Sequence, residues 1–134
     1  MMTSEVSIFE RLKSKNDIKN VYKMGSVIIS KDRKLKANLL SSESRTNKVR
    51  IAISVSSKAG SSVWRNRLKR IIREIIREEK EFLKEPINNN NQGLSIIFSP
   101  YRINQASDHQ LLLKDLRPAI KDILNKIKKN FIGN

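Results

Sequence analysis

Residues 49–84, VRIAISVSSKAGSSVWRNRLKRIIREIIREEKEFLK, change their periodicity midway, and that change decides the fold. Val49, Ile51, Ile53 and Val55 alternate with Arg50, Ala52, Ser54 and Ser56, a period of two that fits a strand with one buried face. Lys58-Ala59-Gly60 breaks the strand, Ser61 or Ser62 can cap a following helix, and Pro86 ends it. With each helical residue advancing about 100°, Leu68, Ile71, Ile72, Ile75, Ile76, Phe82 and Leu83 fall within one arc of roughly 140°. That arc must face a core.

Arg65, Asn66, Lys69, Arg70, Arg73, Arg77, Lys80 and Lys84 fill the neighbouring arc, and Glu74, Glu78, Glu81 and Glu85 gather on the far side. Glu79 inside the apolar arc and Arg67 on the acidic side are exceptions to the sorting. A solvated helix interleaves its signs for i,i+4 pairing. Cations segregated on one stripe repel one another unless a polyanion neutralises them, and a phosphate backbone is the nearest such partner. The plainer alternative is a soluble helix that is merely rich in arginine. Trp64 falls on the apolar side, so core packing is expected of it before base stacking.

The 134 residues suit one domain, 1–134, able to bury roughly two-thirds of its unfolded surface. Lys and Arg number 28 against 13 Asp and Glu, and the resulting net charge of +15 points to nucleic acid first, an anionic membrane second and an acidic protein third. With no cysteine and the single histidine His109, the chain cannot build a disulfide, a Cys/His zinc site or a Cys-His nucleophilic pair. His109 reads as an ordinary surface residue. The first residues, MMTSEVSIFERLKSK, carry acids early and contain no apolar run of signal-peptide length, and no eighteen consecutive apolar residues occur anywhere. A soluble, cytoplasmic location is the expectation.

Elsewhere, Asn16 or Ser14 can cap a short helix carrying Ile18, Val21 and Tyr22, which Gly25 stops. Val27 to Ser30 and Leu35 to Leu40 read as a hairpin about the turn Lys31-Asp32-Arg33-Lys34, and Ser41 to Asn47 as a second turn. Asn88 to Gln92 read as a low-complexity loop, and Leu94 to Phe98 as a central strand. From Ser107 onward Leu112, Leu113, Leu116, Ile120, Ile123, Leu124, Ile127 and Phe131 recur at helical spacing, with Pro118 predicted to kink or divide the helix. The element order is αβββαβα, an α+β sandwich with a four-stranded sheet covered by helices.

The run ISVSSKAGSSVWRNRLKRIIREIIRE resembles the signature of the bacterial ribonuclease P protein subunit: a strand ending in Val-Ser-Lys-Lys, a Gly-containing loop, Arg-Asn-Arg, a hydrophobic residue, Lys-Arg and then Arg-Glu. Arg65, Asn66, Arg67, Lys69, Arg70, Arg73 and Glu74 match it. RLKSKNDIKNVYKMG is similar to the family's first helix with its closing Gly. This chain departs in having Ser57 before Lys58, Ser61-Ser62 before Val63, Ser99-Pro100 after the fourth strand, and Ile18 where an aromatic is usual, although Tyr22 keeps a ring one turn later.

The resemblance implies a ribosomal-protein-like fold with a left-handed βαβ crossover, where ordinary chirality favours the right-handed one. It implies a ribonucleoprotein that removes the 5′ leader of precursor tRNA by endonucleolytic hydrolysis, catalysed by the RNA subunit and its magnesium ions. Carried over, Arg65, Asn66, Arg67, Lys69, Arg70, Arg73 and Lys58 meet the catalytic RNA, and Ile18, Tyr22, Lys36, Arg50 and Ser54 line a cleft for the leader. No catalytic residue, no metal or other cofactor held by the protein, no membrane and no protein partner are expected. The rival reading is a ribosomal or other structural RNA-binding protein with no part in tRNA processing. A helix-turn-helix DNA binder fits less well, because a strand precedes the basic helix.

Overall fold

The computed structural model describes residues 9–43, 49–79, 92–111 and 113–132. In chain order they form β1 (Phe9–Arg11), α1 (Lys15–Met24), β2 (Ser26–Ile29), β3 (Leu35–Glu43), β4 (Val49–Ile53), a 3-10 turn (Ser57–Ala59), α2 (Ser62–Glu79), β5 (Gln92–Pro100) and α3 (Leu113–Ile132). The expected α+β order is present. Four of the strands are those anticipated, and the three-residue β1 adds a fifth at the edge, giving the order β1-β4-β5-β3-β2. β4 and β5 run parallel with α2 between them, whereas β3 pairs antiparallel with both β2 and β5.

Alternation along β3, β4 and β5 assigns side chains to the two faces of the sheet. Leu35, Ala37, Leu39, Val49, Leu94, Ile96 and Phe98 point toward α2 and α3 and join the larger core with Leu68, Ile72, Ile75, Ile120, Ile123 and Ile127. Full burial of each such side chain contributes roughly 1.5–3 kcal/mol, so this layer dominates the stability. The other face carries a much smaller cluster, Leu12, Val21 and Ile97, with Ile18, Leu40 and Ala52 packed against it. Among the described residues the ten-residue α1 is the helix that packs on that face.

Local chemistry sets the element ends. Ser14 caps α1 by accepting from the Asp17 N–H at 3.3 Å, so the serine, not Asn16, is the cap. Gly25 closes α1 with its N–H on the Val21 carbonyl, and its φ of −81° shows that a left-handed turn is not the reason for glycine there. A Cβ at position 25 would stand 2.4 Å from the Val21 carbonyl oxygen and 2.5 Å from that of Leu39, so the close approach of α1 to β3 demands glycine. In the β2–β3 turn the Asp32 carboxylate accepts from Ser30 Oγ at 2.7 Å and the Lys34 N–H at 3.0 Å, the usual service of Asp in turns.

Several expected boundaries move. Ser41 belongs to β3, which runs to Glu43 because β5 starts early enough, at Gln92, to pair with it; the rest of the expected turn, 44–47, lies outside the described residues, as do the apolar Phe82 and Leu83, the charged 80, 81, 84 and 85 and the Asn-rich 88–91. β4 ends at Ile53, three residues short of Ser56, although the Ser54 N–H still reaches the Phe98 carbonyl at 2.9 Å. Pro118 does not divide the last helix, which is one element from Leu113 to Ile132. Proline removes one N–H to the carbonyl four residues earlier, here that of Lys114 in the first turn. The neighbouring Asp115 carbonyl accepts from Lys34 Nζ at 3.3 Å.

Candidate nucleic-acid interface

Helix α2 is seated by its apolar arc, since Leu68, Ile71, Ile72, Ile75 and Ile76 are all buried, and Trp64 joins them at 3% exposure, as its place on the apolar side predicts. Its first turn is held with unusual care. Ser61 Oγ caps the helix by accepting from the Trp64 N–H at 3.2 Å. Gln105 donates its N–H to the Ala59 carbonyl at 2.8 Å and accepts from the Ser61 N–H at 2.7 Å, while Trp64 Nε1 donates to the Asp108 carbonyl at 3.0 Å. Gly60 makes this possible, because a Cβ there would lie 2.8 Å from Gln105 Cβ and 2.9 Å from the Trp64 ring. Gln105 and Asp108 escaped the sequence reading because both contacts span 44 residues and leave no local pattern.

The outward side of α2 carries Asn66, Arg67, Arg70, Arg73 and Arg77, all exposed, with Lys69 half-buried at the margin and Lys58 exposed in the preceding turn. Arg67, Lys69, Arg70, Arg73 and Arg77 form no ion pair among the described residues. Arg65 differs from the rest: it is half-buried, and its Nε donates to the Gly60 carbonyl at 3.0 Å, so it braces the loop as well as carrying charge. The two acids at the end of the helix turn toward α3. Glu78 accepts from Arg117 of α3, and Glu79 lies 3.9 Å from Lys121, which explains its place in the apolar arc: it faces α3. The result is a set of exposed guanidinium groups that form no ion pair among the described residues.

The opposite face of the sheet holds the second set of residues. Strand register places Val27, Asn38, Ile97 and Ala52 in one row across it, with Lys36 opposite Ser99 and Arg50 opposite Ser95 in flanking rows. Tyr22 is 47% exposed near the end of α1, and Ser54 is exposed beyond β4. Ile18 is half-buried and packs against the small cluster of Leu12, Val21 and Ile97 under α1. Arg50 Nη1 lies 3.5 Å from Asp17 Oδ2, a pairing that links α1 to β4. Asn38, absent from the sequence-based set, is buried at 6% exposure with no donor for its Oδ1 among the described residues. Its alternation with Ala37 and Leu39 could have marked it as a polar residue in a central strand.

Among the described residues no group of three or more His, Cys, Asp or Glu is arranged to hold a metal ion, and no helix is long and apolar enough to cross a membrane.

A model of the Ribonuclease P family matches residues 7–124. The ribonuclease P protein component of Bacillus velezensis is 38% identical over 74 residues, 55% of this chain and 61% of that protein. The corresponding component of Streptococcus pneumoniae is 35% identical over 78 residues, 58% of this chain and 60% of its own length. The chain thus spans about three-fifths of the length of the curated relatives it matches. Among solved structures, the ribonuclease P protein of Thermotoga maritima superposes with a TM-score of 0.69 at 22% identity, covering 87% of this chain and 96% of that one. The Staphylococcus aureus ribonuclease P protein gives 0.64 at 26% identity, covering 90% and 96%.

Proposed function

The chain belongs to the ribonuclease P protein family, and on that premise we propose that it is the protein subunit of a ribonuclease P ribonucleoprotein. It binds the catalytic RNA through α2 and the 5′ leader of precursor tRNA along the α1 face, and it assists endonucleolytic removal of the leader by the RNA. The observation that carries this reading is the row of exposed cations Arg70, Arg73 and Arg77, with Arg67 exposed beside it, none in an ion pair among the described residues. Such a row has a favourable partner only in a polyanion.

Arginine suits the task because its planar fork meets two phosphate oxygens at once. The major groove of A-form RNA is too deep and narrow to read, and its phosphates and minor-groove 2′-hydroxyls are what a protein meets, so α2 recognises shape and charge. Asn66 adds a donor and an acceptor for a sugar edge. Lys58 and Lys69 flank the row as point charges, and Arg65 reaches the RNA from the first turn of α2. Along the cleft, Tyr22 offers a stacking surface, Lys36 and Arg50 neutralise leader phosphates, Ser54 donates a hydroxyl, and Ile18 holds the helix wall. Magnesium and the cleavage step belong to the RNA, and the protein supplies no nucleophile or metal ligand. The complex works in the cytoplasm.

Reconstitution tests the proposal. The protein is added to a bacterial catalytic RNA at low magnesium and precursor cleavage is followed. Stimulation is expected, and Arg70→Ala or Arg73→Ala should weaken binding of the RNA without lowering thermal stability. The log-log dependence of affinity on salt should have a slope of about −0.7 to −0.9 per phosphate contact. No stimulation, with RNA affinity intact, would favour a structural RNA-binding role instead.

A further inference from the structure

A separate basic surface lies at the end of the sheet, where the β2–β3 turn meets the residues that follow β5. The Tyr101 N–H donates to the Lys34 carbonyl at 2.9 Å and the Arg102 N–H to the Arg33 carbonyl at 3.1 Å, so these two segments are stitched together. The Arg102 guanidinium sits 5.6 Å from the Tyr101 ring centroid, and Tyr101 itself is 38% exposed. A guanidinium stacked in this way keeps its in-plane N–H donors free to point outward.

Arg33 is the only non-glycine residue with a positive φ among those described, at 62°. That conformation disfavours a residue with a Cβ and suits glycine, so a cation is retained where glycine would be more stable. Backbone held this way is a pointer to function. Neither nearby acid is ion-paired to Arg33 among the described residues. Asp32 is engaged by Ser30 Oγ and the Lys34 N–H, and Asp122 by the Lys31 N–H and Lys126 Nζ. Arg33 and Arg102 form no ion pair among the described residues. Arg102 precedes Gln105, the residue locked to the start of α2, by three positions, a distance of at most about 11 Å of chain. The patch is therefore tied by a short stretch of chain to the junction between the turn that carries Lys58 and the first turn of α2, which carries Arg65.

We infer that the β2–β3 turn and the residues after β5 form a further RNA-binding surface, in which Tyr101 stacks a base of a single-stranded segment and Arg33 and Arg102 hold its flanking phosphates. This rests on the reading of α2 as an RNA-docking helix but on different residues. Stacking tolerates any base, because every base has a π-face, so the surface grips single strands without selecting sequence.

The test measures binding of the full chain to a fluorescein-labelled, unstructured twelve-nucleotide RNA and to a duplex of equal length, with binding to a bacterial catalytic RNA as a separate arm. Tyr101→Ala should weaken single-strand binding by roughly 5- to 150-fold, the equivalent of one stacked base, and leave duplex binding unchanged. Tyr101→Phe keeps the ring and should bind like the parent. Arg33→Gly should reduce the salt slope by about 0.7 while raising the urea midpoint, a combination that a purely structural arginine would not give. Unchanged single-strand affinity in Tyr101→Ala, with the far-ultraviolet circular dichroism retained, overturns the inference. If Arg70→Ala alone weakens the catalytic RNA arm and Tyr101→Ala changes nothing, the α2 reading stands and this surface falls; the reverse pattern would do the opposite.

Discussion

Glu78 on α2 accepts a hydrogen bond from the guanidinium of Arg117 on α3, and this contact shows how the charge of α2 is partitioned. With Glu79 near Lys121, the acids at the end of α2 are directed to its neighbour helix, while Arg70, Arg73 and Arg77 stay outside any ion pair among the described residues. The helix–helix seam and the outward stripe thus use opposite charges of the same element.

The Glu78–Arg117 pair should matter little for stability. Its side chains are 49% and 34% exposed, and exposed pairs contribute about 0–1 kcal/mol. A double-mutant cycle with Glu78→Gln and Arg117→Ala, followed by urea unfolding, should give a coupling energy below about 1 kcal/mol and leave RNA affinity unaltered. A large loss of RNA binding in Glu78→Gln would mean that the seam, not the stripe, is the contact.

Much of this arrangement was legible in the chain. The apolar arc of α2 and the alternation through Val49, Ile51 and Ile53 are local periodicities, and local periodicity survives folding unchanged. What was not legible depends on contacts between distant residues. β1 is three residues long, too short to show a period, and forms because Phe9, Glu10 and Arg11 meet Val49, Arg50 and Ile51 in parallel register. The brace from Gln105 and Asp108 to the start of α2 has no sequence signature at all. Pro118 does not divide the helix, because the bond it forfeits is to a carbonyl of the first turn. Ile18 comes from its position in a motif, and only the fold shows that it also packs against Leu12, Val21 and Ile97.

Gly25→Ala should be severe despite its small size. The added Cβ would fall at 2.4 and 2.5 Å from two backbone oxygens, on Val21 and Leu39, neither of which belongs to a flexible side chain. A loss of more than about 2 kcal/mol is expected, within the range for forced backbone strain, read as a lower urea midpoint with an unchanged m-value. Because the same junction sets the angle of α1 over the sheet, leader binding should fall as well. A neutral effect on stability would show that α1 can lift off β3 freely.

Asp122 joins α3 to the β2–β3 turn. Partial burial pushes its carboxyl up, but hydrogen bonds from Lys126 Nζ and the Lys31 N–H, with the charges of both lysines, hold it below the usual carboxylate value. A carboxyl lowered by folding adds stability that is complete above its unfolded value, about 3.9, and is lost as pH falls through the folded value. The stability of the parent should therefore decline below about pH 4 more steeply than that of Asp122→Asn, a small difference because the pair is partly solvated. Parallel acid limbs in urea unfolding at several pH values would remove this role.

Asn38 presents a cost with no return inside the fold. Its Oδ1 is buried on the α1 face between Val27 and Ile97 and meets no donor among the described residues. An unsatisfied buried acceptor costs about 1–3 kcal/mol, and valine suits a central strand by shape and propensity. Asn38→Val should raise the urea midpoint by the equivalent of about 1 kcal/mol or more. If the row that contains Asn38 forms the floor of the leader cleft, the same change should reduce the preference for leader-bearing precursor over leaderless tRNA, measured as a ratio of affinities. A stabilised variant that keeps the ratio would remove Asn38 from the cleft, and a destabilised one would show that the amide oxygen is already satisfied by bound water.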